Sequence, residues 1–131
     1  MPPPQRRGLF AGIALLSLAA VVLQIVLTRL FSALYGYHFA FLAIALALFG
    51  SGVAGVLLYV APRLLPARAL LGRSSLFAGL ASAATVVVLL VLLHVPPVAK
   101  LDAGGLGRVA ILYTAASLPF VFAALPIAAA V

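Results

Sequence analysis

Apolar residues run through this chain in four long blocks, and its polar residues collect between them. The blocks cover about 8–27, 39–60, 75–95 and 109–131. Each is close to the roughly 20 mainly apolar residues that a helix needs to cross a bilayer. None alternates polar and apolar residues with period two, which argues against a lipid-facing barrel. Ala and Leu dominate the blocks, and both favour helix. The pattern predicts an all-α polytopic membrane protein: one transmembrane domain of four helices over residues 1–131. The start, MPPPQRRGLFAGIALL, has the basic and apolar regions of a secretory signal, with Ser17-Leu18-Ala19 as a cleavage-like site. The apolar run continues through VVLQIVL, longer than a signal needs, so an uncleaved first span is expected.

Composition strengthens the membrane reading. Of the 131 residues 67% are hydrophobic and 7% charged, and the mean hydropathy is +1.38. A soluble domain carries about 45–50% apolar and about 25% charged residues. A small water-soluble fold could not hide this much apolar surface. Eight Lys and Arg stand against one acid, Asp102, for a net charge of +7. The cations do not form a nucleic-acid patch; they sit in the gaps between blocks, as topology-setting residues do. Arg6, Arg7, Arg63, Arg68 and Arg73 fall on one side, and Arg29, Lys100 and Arg108 on the other. By the positive-inside rule this balance predicts a cytoplasmic N-terminus. The expected partners are the bilayer and neighbouring transmembrane helices, with no nucleic acid. Without cysteine, neither a disulfide framework nor a thiolate site exists.

Gly50-Ser51-Gly52-Val53-Ala54-Gly55 fits the dinucleotide fingerprint G-x-G-x-x-G letter for letter. That fingerprint needs a strand before it, a helix opening on it and an acid about 20 residues later. Here one unbroken apolar run passes through the glycines, and Ser74-Ser75 stand where the acid belongs. The glycines have a membrane reading instead. Ala43, Ala47, Ser51 and Gly55 recur every four residues, with Gly50 and Gly52 widening the strip. Small residues at that spacing let helix backbones approach closely in lipid. A helix-packing strip is expected there.

Candidate chemistry is concentrated in LQIVLTRLFSALYGYHFAF, residues 23–41, which links the first two spans. Polar groups at membrane depth are costly and therefore functional candidates. Gln24 and Thr28 share a helix face at four-residue spacing, and Gln24 is suited to an interhelical hydrogen bond. Arg29 reads first as an interfacial cation; its functional version pairs with Asp102, a lipid phosphate or an anionic substrate. Tyr35 and Tyr37 fit an aromatic belt. His38 titrates near neutrality in its ordinary state, but it has no second metal ligand nearby. His94, ahead of Pro96-Pro97, reads as a helix-end residue, and Pro119 and Pro126 as packing kinks in the fourth span. The polar cluster to test is thus Gln24, Thr28, Arg29, His38 and Asp102. A single carboxylate excludes paired-carboxylate catalysis and carboxylate-rich metal sites. No Ser-His-Asp or Cys-His arrangement is available either. No catalytic, cofactor or metal residues are assigned, and the chain alone is not expected to be an enzyme.

Three pieces of this region carry a resemblance: Thr28-Arg29-Leu30-Phe31-Ser32, Tyr37-His38-Phe39-Ala40-Phe41-Leu42 and Leu46-Ala47-Leu48-Phe49-Gly50. Together they resemble the N-terminal membrane region of bacterial spermidine synthase-like integral membrane proteins. The later Leu118-Pro119-Phe120-Val121-Phe122-Ala123 is similar to a second segment of that family. The resemblance covers about half of the chain. In that family a multi-span region is fused to a domain of aminopropyltransferase or methyltransferase fold. It implies a membrane anchor or transport-type module in a bacterial inner membrane, with the catalytic fold beginning beyond Val131. Polyamine chemistry would belong to that domain, by analogy. One departure concerns Gln24: the family pattern has an acid four residues before the Thr, so the intramembrane carboxylate that would pair with Arg29 from that position is missing here, though Gln24 can still hydrogen-bond. The chain stops inside LPFVFAALPIAAAV, which reads as the front part of a longer protein. The other readings are a stand-alone small transporter or channel subunit, and a structural subunit of a membrane complex.

Overall fold

The computed structural model describes residues 3–35, 40–65, 70–94 and 103–130. Four helices account for nearly all of them: α1 (Pro3–Tyr35), α2 (Ala40–Val60), α3 (Leu70–His94) and α4 (Ala103–Ala130). A short 3-10 turn, Pro62–Leu64, follows α2. All four helices are long and apolar enough to cross a membrane. The expected all-α, four-span architecture is therefore present.

The helices are longer than the apolar blocks suggest. α1 does not stop near residue 27 but continues through Gln24, Thr28, Arg29 and Ser32 to Tyr35. α3 begins at Leu70 and α4 at Ala103, each about five residues before its block. Apolar length reports how much helix must avoid water. It does not report where backbone N–H and C=O groups cease to pair, and near the interface the helix remains the cheapest way to pair them. α2 does end where the sequence turns. Ala61 N–H still donates to the Leu57 carbonyl at 2.8 Å. Pro62 then has no N–H to offer and disfavours helical backbone in the residue before it.

The hydrophobic core is divided lengthwise into two clusters. One joins Leu23, Leu27 and Phe31 of α1 to Ala43, Leu46 and Ala47 of α2, Val88 and Leu92 of α3, and Leu112, Ala116 and Phe120 of α4. The late part of α1 thus meets the early part of α2, the late part of α3 and the early part of α4, an up-down-up-down bundle. We call this the distal half. The other cluster holds Ala54, Leu65, Val121 and Leu125, with Phe77 and Phe122 packed against it. It lies toward the end where α1 begins, and α1 contributes nothing to it. We call this the N-terminal half.

α4 is the hub. Its main contacts are with α3 and α2, and α1 touches α3 least. α4 is the most buried of the four helices, whereas α1 is buried only late in its length, at Leu23, Leu27 and Phe31. Pro119 and Pro126 are among the most completely buried residues. Each removes a hydrogen bond to the carbonyl four residues back, at Ala115 and Phe122. Burial at the centre of the bundle is where neighbouring helices can tolerate that loss.

Candidate functional site

Among the described glycines, the tight contact is at Gly50, between α2 and α4. A Cβ built on Gly50 would lie 2.7 Å from the Phe120 Cβ, 3.0 Å from the Ser117 carbonyl oxygen and 3.1 Å from the Val121 nitrogen. Only a residue with no side chain lets the two backbones meet at this distance. The buried strip of α2 runs through Ala43, Leu46, Ala47, Gly50 and Ala54. Ala43 and Ala47 lie on it, whereas Ser51 and Gly55 are exposed. Gly52 and Gly55 have nothing within 4 Å of an added Cβ. The reason is helical geometry. A strict four-residue step advances about 400°, so each repeat drifts about 40° around a helix of 3.6 residues per turn. The contact face corrects the drift by stepping 43, 47, 50, 54, leaving Ser51 and Gly55 on the outer side.

The polar residues of α1 occupy the distal half. Gln24 and Thr28 are half-buried, Arg29 is exposed and Ser32 is half-buried. The hydrogen bond between the first two runs within the helix: Thr28 Oγ1 donates to the Gln24 backbone carbonyl at 2.8 Å. Below them Phe31 is buried, its ring 6.4 Å from that of Tyr113 at a tilt of 53°. His38, Asp102, Tyr37 and Lys100 lie outside the described residues, as does the side chain of Tyr35. The proposed pairing of Arg29 with Asp102 falls among them. His94 is exposed at the end of α3, its Nδ1 2.8 Å from the Leu90 carbonyl, which places a proton on that nitrogen. Among the described residues no three His, Cys, Asp or Glu side chains come together as a metal site would require.

Other hydroxyls follow the pattern of Thr28. Ser51, Thr85 and Thr114 donate to the carbonyls of Ala47, Ala81 and Ala110, each at 2.8 Å, and buried Ser117 donates to that of Thr114 at 2.9 Å. These bonds satisfy the hydroxyl donors within their own helices. Ser74 differs: its Oγ is buried and has no hydrogen-bond partner among the described residues.

Little in the pattern of the chain points to the space beside Ser74. Between α1 and α3 lies a cleft with two adjacent pockets, of about 260 Å³ and about 220 Å³. Both parts are lined by Leu16 and Ala78. Its signal, visible in retrospect, is small residues at four-residue spacing on both walls: Gly8 and Gly12 on α1, and Ser74, Ala78 and Ser82 on α3. At one corner of this end, Arg73 Nη1 donates to the Arg63 carbonyl at 2.6 Å and ties the start of α3 to the turn after α2. No protein-family model, no curated protein and no solved structure matches this chain.

Proposed function

We propose that this chain is an integral membrane module that anchors a domain on the cytoplasmic side of a bacterial inner membrane, as its resemblance to spermidine synthase-like membrane regions implies. The observation that carries the reading is the up-down-up-down course of the bundle. It returns the end of α4 to the side where α1 begins, beside Arg7, Arg63 and Arg73. With the positive-inside rule, that side is cytoplasmic. A catalytic domain fused there would meet soluble substrates, and aminopropyl-transfer chemistry would reside in it rather than in these helices. The own-helix hydrogen bonds of Thr28, Ser51, Thr85 and Thr114 also favour an anchor over a conduction path, which needs polar groups turned toward a shared route.

The lack of native cysteine makes the orientation directly testable. In G107C the thiol should react with a membrane-impermeant maleimide on intact cells. In G72C it should react only after permeabilisation. The reverse pattern overturns the cytoplasmic assignment. Reconstituted into liposomes, the protein should carry no proton or potassium flux above empty vesicles. A flux that disappears in R29A or H38A would replace the anchor reading with a small transporter or channel subunit.

A further inference from the structure

Gln24 carries the only carboxamide within the four spans. The first span runs from Arg7 to Leu34. Gln24 therefore lies about 5 Å along the axis from its midpoint, at 1.5 Å per residue. The hydrocarbon core extends about 15 Å to either side of the bilayer centre, so the amide is well inside it. An amide in hydrocarbon has no water to bond, and leaving it unpaired is costly. The bundle does not pair it. The Gln24 backbone carbonyl accepts from Thr28, but the side chain makes no hydrogen bond among the described residues. It stays half-buried, with two N–H donors and a carbonyl oxygen open.

The face that carries this amide is left uncovered by the fold. Ala14, Ser17, Val21, Gln24 and Thr28 follow one another in alternating steps of three and four residues. That is the seam spacing of two helices packed in a coiled coil. Ala14 and Val21 are exposed and the other three half-buried. None of the five lines the α1–α3 cleft or belongs to the core around Leu27 and Phe31. A single polar residue in such a seam fixes register and the number of partners. Its partner has to present both a donor and an acceptor at the same depth. A second copy of this chain meets both conditions. Inserted in the same orientation, it is related to the first by a two-fold axis along the membrane normal, which sets identical residues at identical depth. Each carboxamide N–H then donates to the carbonyl oxygen of the other.

We propose that the chain forms a parallel homodimer through this face of α1, held by a reciprocal hydrogen-bonded pair of the two Gln24 carboxamides. The dimer needs only the four-helix fold and is independent of the anchoring role and of the side on which the N-terminus lies. The test is energy transfer between full chains labelled at the N-terminus with donor or acceptor, in mixed micelles over a range of protein-to-detergent ratios. Q24L removes the amide at similar volume and should weaken association about tenfold. Q24N, which keeps an amide, should associate more tightly than Q24L. Far-UV circular dichroism checks that each variant is folded. Cross-linking tests the same face with the amide intact, in a chain that has no native cysteine. In membranes under mild oxidation V21C should give a disulfide-linked dimer. V22C, at nearly the same depth but about 100° around the helix, should not. A protein that is monomeric at every ratio overturns the proposal. So does association unchanged in Q24L, a Q24N variant no tighter than Q24L, or equal cross-linking of V21C and V22C.

Discussion

The distal and N-terminal halves of the bundle use the same vocabulary of Ala, Leu and Gly, yet four helices close around one and three around the other. In the distal half α1 inserts Leu23, Leu27 and Phe31, four residues apart, into a cluster that includes Ala43, Ala47 and Ala116. Large side chains from one helix meet small ones on its neighbours, so both surfaces are filled. In the N-terminal half α1 offers Gly8 and Gly12 to the groove, while Leu15 and Leu18 are turned outward and exposed. Lipid supplies no hydrophobic drive to close that gap, because an acyl tail is as apolar as leucine. Shape alone decides which helices touch. α1 docks where Leu23, Leu27 and Phe31 meet its neighbours, and stands off along Gly8, Leu9, Gly12, Ile13 and Leu16, which border the cleft.

Gly50 lies where the two halves meet, and changing it should have the largest effect. In Gly50→Leu the new side chain would have to displace the Phe120 Cβ at 2.7 Å and backbone atoms of α4 at 3.0–3.1 Å. Overpacking against backbone costs about 3 kcal/mol. Unfolding in mixed micelles should show that loss, and the α2–α4 contact should open. A stability within about 0.5 kcal/mol of the parent would mean that the close approach does not hold the bundle together.

Next come Leu27→Ala and Phe31→Ala, both fully or almost fully buried. Each should lose on the order of 2 kcal/mol through forfeited packing contacts, toward the low end of core truncations, because transfer to lipid gains nothing. Leu15→Ala and Leu18→Ala, on exposed positions of the same helix, should change stability by less than about 0.5 kcal/mol. Comparing the four by mixed-micelle unfolding measures the difference between the halves directly. Equal losses in both pairs would mean that α1 is docked along its full length.

Four spans and their approximate centres were legible from apolar block length, because the bilayer thickness is written directly into that length. Their ends were not, since α1, α3 and α4 continue as helix through residues such as Thr28, Arg73 and Arg108, which hydropathy reads as breaks. The small-residue strip on α2 was legible in kind but turned in detail. Ala43 and Ala47 sit on the buried face, and beyond them the contact passes to Gly50 and Ala54 rather than Ser51 and Gly55. A repeat counted in whole fours cannot follow a 3.6-residue period. The cleft was illegible for a different reason. Whether these two faces close or stay apart depends on how α4 holds α1 and α3, a relation between three helices that no single segment encodes.

The two faces of α2 give the smallest and most specific contrast. Gly52 and Gly55 are exposed with open space around them, so Gly52→Ala and Gly55→Ala should be neutral or stabilising by up to about 1 kcal/mol, through reduced backbone freedom in the unfolded chain. Ser51 is subtler. Its hydroxyl donates to the Ala47 carbonyl, the same carbonyl that its own backbone N–H serves in the helix. Ser51→Ala removes donor and hydroxyl together and leaves the carbonyl paired, so no buried group is stranded. The change should shift mixed-micelle unfolding by less than about 0.5 kcal/mol and leave the α2–α4 contact closed. If Ser51→Ala and Gly55→Ala instead weaken the protein as Gly50→Leu does, the outer face of α2 is also a packing face, covered in the membrane by another helix. The drift from Ala47 to Gly50 would then divide one small-residue strip between two neighbours.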